Sequence, residues 1–335
     1  MTECILENIG ERKFLVTGAS GWIGKNIVKR LAEYGAKAVA VDIRVAPELK
    51  AYEGNGVEIM QADLTEPFDF PEGVTDVLHA AGKVADWGSY ASFYKINVGS
   101  TERLLEQAAA HGVKRFLYFS SIDLHGFLGH VDDTEDGLYH KVKGFYYPMT
   151  KIIGEKKVSE ANSVRMKTVS IRPSTVYGPG DTTVHQTIME NMERRTFGFV
   201  NRGRLLISRV YIDDLLNGMF RALELGHGGE AYNITSGEKI TWREWSDAIC
   251  EELGIKPIKS SFPYWFVMSL AMTMQGAYKL LHIKTAPLLT RMRIQHAGHD
   301  FHFWPEKAMR EIGFHPETPW QEGVKRMARY YKDNK

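Results

Sequence analysis

Tyr147-Pro-Met-Thr-Lys151 sets a phenol and an ammonium four residues apart, on one face of a helix whose first turn tolerates Pro148. A free phenol, with a pKa of about 10, is a poor acid or base at neutral pH. A neighbouring cation favours its phenolate and makes proton transfer feasible. Ser121, in Phe119-Ser-Ser-Ile-Asp-Leu-His-Gly126, closes a short apolar run and brings a hydroxyl able to bond a carbonyl or alcohol oxygen. These three residue types can hold such an oxygen and exchange its proton.

A second constellation points to a dinucleotide. Thr17-Gly18-Ala-Ser20-Gly21-Trp22-Ile23-Gly24 follows the apolar run 13–17, and Ile23, Ile27, Leu31 and Tyr34 then recur near helical spacing. In this strand, loop and helix setting Gly18 permits a tight turn, Gly21 lets backbone approach a pyrophosphate and Gly24 allows close helix packing. Ser20, Trp22 and Ile23 belong to the same loop and helix start, whose N–H groups face the anion. Asp42 lies 24 residues after Gly18, close to the spacing of an acid that binds a ribose 2′-OH. Its carboxylate would repel a 2′-phosphate, so NAD is expected over NADP; NADP binding would rest on Arg44 swinging inward. Asp63 could accept from an adenine amino group while Leu64 packs on the ring. Ala80, Ala81 and Gly82 are small enough to let a cofactor pass over the sheet edge, and His79 before them is read as core packing.

These groups need a frame, and the chain supplies it as alternating strands and helices. Runs 13–17, 38–42, 57–61, 76–80, 115–120 and 167–172 read as buried strands, and 90–110 and 146–162 as helices. Such alternation implies an α/β fold with a doubly wound parallel sheet and right-handed crossovers. Residues 11–180 read as the dinucleotide-binding domain, with segments near 208–236 returning to it, and 181–331 mainly as a smaller substrate-binding lobe. Two capping boxes are legible in that lobe, Thr241 with Glu244 and Thr318 with Gln321, the second with Pro319 at the first helical position.

Composition narrows the partners. The 335 residues are 44% hydrophobic and 25% charged, with a net charge of +1 and no run of five like charges, which argues against a nucleic-acid partner. Two cysteines, Cys4 and Cys250, imply a reducing compartment, and a cytoplasmic location is expected. Acids precede the first basic residue at the N-terminus, unlike a signal peptide, and the uncharged stretch 262–278 is too interrupted to span a bilayer. His296, His299, Asp300 and His302 fit no common ligand spacing, so no metal is expected.

The chain resembles the extended short-chain dehydrogenase/reductase family from Lys13 to Tyr331. The likeness rests on the segments 17–24, Asp42, 63–64, 79–82, 96–101, 119–126, 147–151, 172–181 and 209–214 in their order and spacing. It implies a Rossmann-type domain, the triad Ser121, Tyr147 and Lys151, Tyr147 as acid/base, Lys151 also holding the nicotinamide ribose, and Pro173 flanking the nicotinamide. It also implies a homodimer. Asn97 is read as a backbone contact near the catalytic helix or as packing, and Trp87 as a pocket wall or a loop anchor.

Within the family, sugar-nucleotide enzymes usually carry Asn where Ser174 stands, and dehydratases an Asp-Glu pair where Ile122-Asp123 stands. The string 120–123, the segment 172–181 and the apolar segment after 262 look more like the 3β-hydroxysteroid dehydrogenase and 3-oxo-lipid branch. A hydrophobic small-molecule substrate is therefore expected, with peripheral membrane contact through residues 262–283 as a further reading. The alternatives are a nucleotide-sugar epimerase or dehydratase, and a non-catalytic NAD sensor; the presence of both Tyr147 and Lys151 opposes the latter.

Overall fold

The short apolar runs of the sequence line up as one parallel sheet in the computed structural model, which describes residues 4–135 and 142–335. Its strands are β1 (Lys13–Thr17), β2 (Lys37–Asp42), β3 (Val57–Gln61), β4 (Asp76–His79), β5 (Arg115–Phe119) and two later ones, Lys167–Pro173 and Ala231–Ile234. The order across the sheet is Ala231–Ile234, Lys167–Pro173, β5, β4, β1, β2, β3. Ala231–Ile234 thus returns from the second half of the chain to the sheet, pairing Ile234 with Pro173.

Eleven α-helices are described: α1 (Trp22–Glu33), α2 (Tyr90–Tyr94), α3 (Ser100–Ala110), α4 (Tyr146–Glu160), α5 (His185–Glu193), α6 (Ile212–Leu225), α7 (Trp242–Leu253), α8 (Tyr264–Leu280), α9 (Arg291–Gly298), α10 (Glu306–Ile312) and α11 (Trp320–Asp333). Alternation along β1 shows why the sheet is covered on both sides. Phe14 and Val16 enter one core with Ile27, Val28 and Leu31 of α1 and Leu215 and Met219 of α6. Leu15 enters the other with Leu104, Leu105 and Ala108 of α3 and Val158 of α4. The crossover from β2 to β3 is a 3₁₀ segment, Pro47–Tyr52, and no helix joins β3 to β4.

The register brings the functional ends together. Thr17 pairs with Val41 on one side and His79 on the other, so the carboxyl ends of β1, β2 and β4 lie side by side. Two sequence expectations need correction. The helix read over 90–110 is interrupted by a π-helical turn, Lys95–Gly99, between α2 and α3. Thr241 and Glu244 do form a capping box, but Thr318 and Gln321 do not: Pro319 occupies the N-cap of α11, and the Asp214 carboxylate already accepts from the backbone N–H groups of Glu317 and Thr318. Among the described residues no helix is long and apolar enough to cross a membrane.

Candidate active site

The turn after β1 is built on glycines that tolerate no side chain. Gly18 sits at φ +68°, where a Cβ would fall 2.7 Å from the Ala81 nitrogen, and a Cβ on Gly24 would collide with the Gly18 carbonyl oxygen. Gly21 is the N-cap of α1, so the first N–H groups of that helix point out over the turn. This is a cradle of backbone donors with its side-chain space removed, and it fits a pyrophosphate.

Asp42 ends β2 beside this cradle and accepts from the Ser20 N–H at 2.9 Å, while the Ser20 hydroxyl accepts from the Ala46 N–H. The Asp42 carboxylate therefore both shapes the loop and stands at its rim. Trp22 turns its side chain away from the cradle. Its indole N–H donates 3.0 Å to the Pro179 carbonyl, so only its backbone belongs to the cradle. Ile23 packs against the core. Asp63 has one carboxylate oxygen engaged by the N–H and the hydroxyl of Thr65, which holds its pKa below the usual carboxylate range, and Leu64 is buried. Ala80 and Ala81 press against the Gly18 turn, and Pro173 closes its strand in a buried position.

Ser121, Tyr147 and Lys151 converge at the same edge. Ser121 follows β5, and its hydroxyl accepts from the Asp123 N–H at 3.2 Å and is hydrogen-bonded to the Tyr147 phenol. Tyr147 lies in the first turn of α4 and is buried; that burial, with the Asp123 carboxylate nearby, pushes its pKa well above the ordinary phenol value. The expected lowering by Lys151 does not dominate. The ammonium is engaged elsewhere, donating 2.7 Å to the Phe119 carbonyl and lying 4.7 Å above the Tyr118 ring. Desolvation lowers the Lys151 pKa to about 8, with Glu155 opposing the shift.

Gly82 makes this lysine position possible, since a Cβ there would stand 3.2 Å from Nζ. Asn97, in the π-helical turn, ties the neighbourhood together. Its side-chain oxygen accepts from the Lys83 N–H at 2.6 Å, and its nitrogen donates to the Lys83 carbonyl and to the Thr150 hydroxyl of α4. The π turn thus rotates one asparagine to bridge the loop after β4 to the helix that carries Tyr147. His79 is buried between the hydroxyls of Thr17 and Thr101 at 2.7 and 3.0 Å, and burial depresses its pKa to about 3.

One site residue was passed over in the sequence except as a departure from another pattern. Asp123 is partly buried beside Tyr147, and desolvation raises its pKa to about 7. Its proximity to Ser121 in sequence was the available signal. By contrast, the histidines near the C-terminus disperse. His296 packs on Phe301, His299 bonds the Gln295 carbonyl, and His302 bonds the Gly237 carbonyl. Among the described residues no group of three metal-ligating side chains forms.

The loop after β4 and the segment that leads into α4 are both held by contacts from residues 278–293. Trp87, in the loop after β4, donates to the Ile283 carbonyl and meets the Tyr278 ring edge-on, while Asp86 pairs with Arg293. Arg291 donates to the Lys143 carbonyl and lies over Phe145, which packs with Ile122, Phe127 and Met292. Trp87 is thus an anchor for the end of α8, and Phe145, two residues before Tyr147, belongs to a buried apolar cluster.

Comparison with known proteins bears on the fold and the family of the chain. The model of the NAD dependent epimerase/dehydratase family matches residues 14–235. A 2-alkyl-3-oxoalkanoate reductase of Stenotrophomonas maltophilia is 28% identical over 94% of this chain and 98% of that protein. The decarboxylating sterol-4-alpha-carboxylate 3-dehydrogenase of Mus musculus is 28% identical over 94% and 90%. The UDP-glucuronic acid 4-epimerase of Bacillus cereus, solved with NAD, superposes with a TM-score of 0.75 at 20% identity, covering 96% of this chain and 99% of that one; this likeness is one of fold.

Proposed function

The chain belongs to the NAD dependent epimerase/dehydratase family, and from that premise we propose that it interconverts a secondary alcohol and a ketone on a hydrophobic substrate, of the 3β-hydroxysteroid or 3-oxo-lipid kind. The observation that carries this reading is the convergence of Ser121, Tyr147 and Lys151 at the strand ends beside the glycine cradle. The backbone of Gly18 to Gly24 would hold the pyrophosphate, Asp42 the adenosine ribose, Asp63 and Leu64 the adenine, and Lys151 the nicotinamide ribose. Bound NAD supplies the hydride acceptor or, when reduced, the donor, and in its oxidised form a positive charge.

This chain's residues do the rest. Ser121 and Tyr147 present two hydroxyls to one substrate oxygen. With its pKa raised by burial, Tyr147 rests as the protonated phenol and, in reduction, gives its proton to the oxygen as the alkoxide develops. That transfer leaves a phenolate, whose charge the Lys151 ammonium on the next turn of α4 would help to offset; oxidation is the reverse, in which the phenolate takes the alcohol's proton as the hydride leaves for oxidised NAD. Lys83, Asn97 and Thr150 hold the loop and helix in mutual register.

Support for an apolar substrate comes from the reductase and sterol dehydrogenase relatives. The same reading keeps residues 11–180 with the 208–236 returns as the cofactor domain, 181–331 as the substrate lobe, a homodimer, and a cytoplasmic location. The test is a substrate panel followed by NADH absorbance. A 3-hydroxysteroid or long-chain 3-hydroxy compound is expected to reduce NAD, and UDP-sugars to leave both turnover and melting temperature unchanged. Epimerisation of a UDP-hexose bound at micromolar concentration would replace the proposal with the sugar-nucleotide reading.

A further inference from the structure

Helix α8 does not bury its apolar residues. In YWFVMSLAMTMQGAYKL only Val267 and Ala271 are fully buried, against Ile294 of α9. Trp265 is 70% exposed, Met272 59% and Leu280 79%; Phe266 and Leu270 are also exposed, and Phe262 and Leu281 extend the patch at either end. The two exposed hydroxyls on this face are turned inward. Ser269 donates to the Trp265 carbonyl at 2.8 Å and Thr273 to the Ser269 carbonyl at 3.0 Å, so both hydroxyl protons are used within the helix. The exposed apolar side chains are thus gathered on one helix and its two ends and are not scattered singly over the surface.

Within its own segment the charge is one-sided, although Arg293 is paired with Asp86 of the loop after β4. Between Leu253 and His299 the chain contains Lys256, Lys259, Lys279, Lys284, Arg291 and Arg293 and not one Asp or Glu, although acids number 41 in the whole chain. Lys256, Lys259, Lys279 and Lys284 are exposed. A second copy docked through this face by two-fold symmetry would set the positive rim against itself. An anionic lipid surface complements both the apolar face and the rim. The helix, 17 residues long with one side packed on α9, has the geometry to lie in the interface and not to cross it.

We propose that α8 and its basic flanks dock this protein on anionic phospholipid membranes, with the apolar face of α8 seated in the headgroup layer. The C-terminal end of α8 rests on Trp87, in the loop that follows β4, so docking brings near the bilayer the loop that Asn97 ties to α4. The proposal complements the lipid-like substrate but stands on the surface alone, and its test needs neither cofactor nor substrate.

The full chain is sedimented with phosphatidylcholine vesicles, with and without phosphatidylglycerol. Binding to the anionic vesicles is expected, weakening as salt is raised, with little binding to phosphatidylcholine alone. Trp265→Ser with Phe266→Ser, both at exposed positions, should lower binding by about tenfold or more with an unchanged melting temperature. Lys279→Glu with Lys284→Glu, which leaves the apolar face intact, should remove the preference for anionic vesicles. Absence of binding to either vesicle would overturn the proposal. So would sedimentation velocity showing a dimer that the Trp265→Ser, Phe266→Ser variant dissociates, with no vesicle binding, since a second copy would then cover the face.

Discussion

Replacing Lys151 by Met should make the protein more stable and inactive. The ammonium is buried, and desolvation lowers its pKa from 10.5 to about 8. At about 1.4 kcal/mol per tenfold change in proton affinity, carrying the charge at pH 7 costs the fold roughly 3 kcal/mol. Methionine of similar length removes that cost. It also leaves the Phe119 carbonyl without its 2.7 Å donor, a loss of about 1–3 kcal/mol partly offset by the apolar side chain now buried. The net expectation is a gain of about 1–2 kcal/mol. With an unfolding entropy of about 2.1 cal/mol/K per residue over 335 residues, that is a rise of roughly 2 °C in Tm at pH 7. The pH dependence adds a second readout. Because the folded-state pKa is depressed, the wild type sheds its burden as pH climbs from about 8 toward 10.5, so the gap between the two proteins should narrow over that interval. Thermal melts at pH 7 and pH 10 measure it. A variant that melts below the wild type at pH 7 would show that the carbonyl bond and the Tyr118 contact outweigh desolvation, and would refute the reasoning.

Other outcomes follow from the same geometry. Tyr147→Phe keeps the ring and removes the transferable proton, so turnover should fall by on the order of 10²-fold while NADH titration shows nearly unchanged affinity. Fluorescence titration should give tighter binding of NADH than of NADPH, by roughly tenfold or more, because Asp42 stands at the cradle rim; Asp42→Ala should erase the preference and weaken both by loosening Ser20. His79 is buried neutral with a pKa of about 3, so it contributes stability above about pH 6.5 that is lost as pH falls toward 3; His79→Gln should flatten the acid limb of a Tm-against-pH curve.

The strands were legible because parallel strands buried on both faces are written as short continuous apolar runs, and 13–17 and 57–61 appear with the boundaries read from them. The glycine cradle was legible because the conflicts that forbid a side chain at Gly18 and Gly24 are local. What escaped was long-range. The π turn at Lys95–Gly99 follows from where Asn97 must reach, Lys83 and Thr150, not from the residues of that turn. The Trp22 indole goes to Pro179, 157 residues away, and the Asp214 carboxylate takes the Thr318 N–H that Gln321 would have used in a capping box. Asp123 acquires its raised pKa from burial, which no spacing reveals.

The return of Ala231–Ile234 to the sheet has a consequence during synthesis. Until those four residues emerge, Lys167–Pro173 is an open edge, a row of unpaired N–H and C=O groups flanked by the buried side chains of Val169 and Ile171. Some sixty residues separate the two strands, so at about 5–20 residues per second the nascent sheet stays open for roughly 3–12 s. During that time α6, which precedes Ala231–Ile234 and packs on Lys167–Pro173, can already shield one face of the edge strand. The edge itself waits for the last strand, and a ribosome paused between residues 173 and 231 would prolong its exposure.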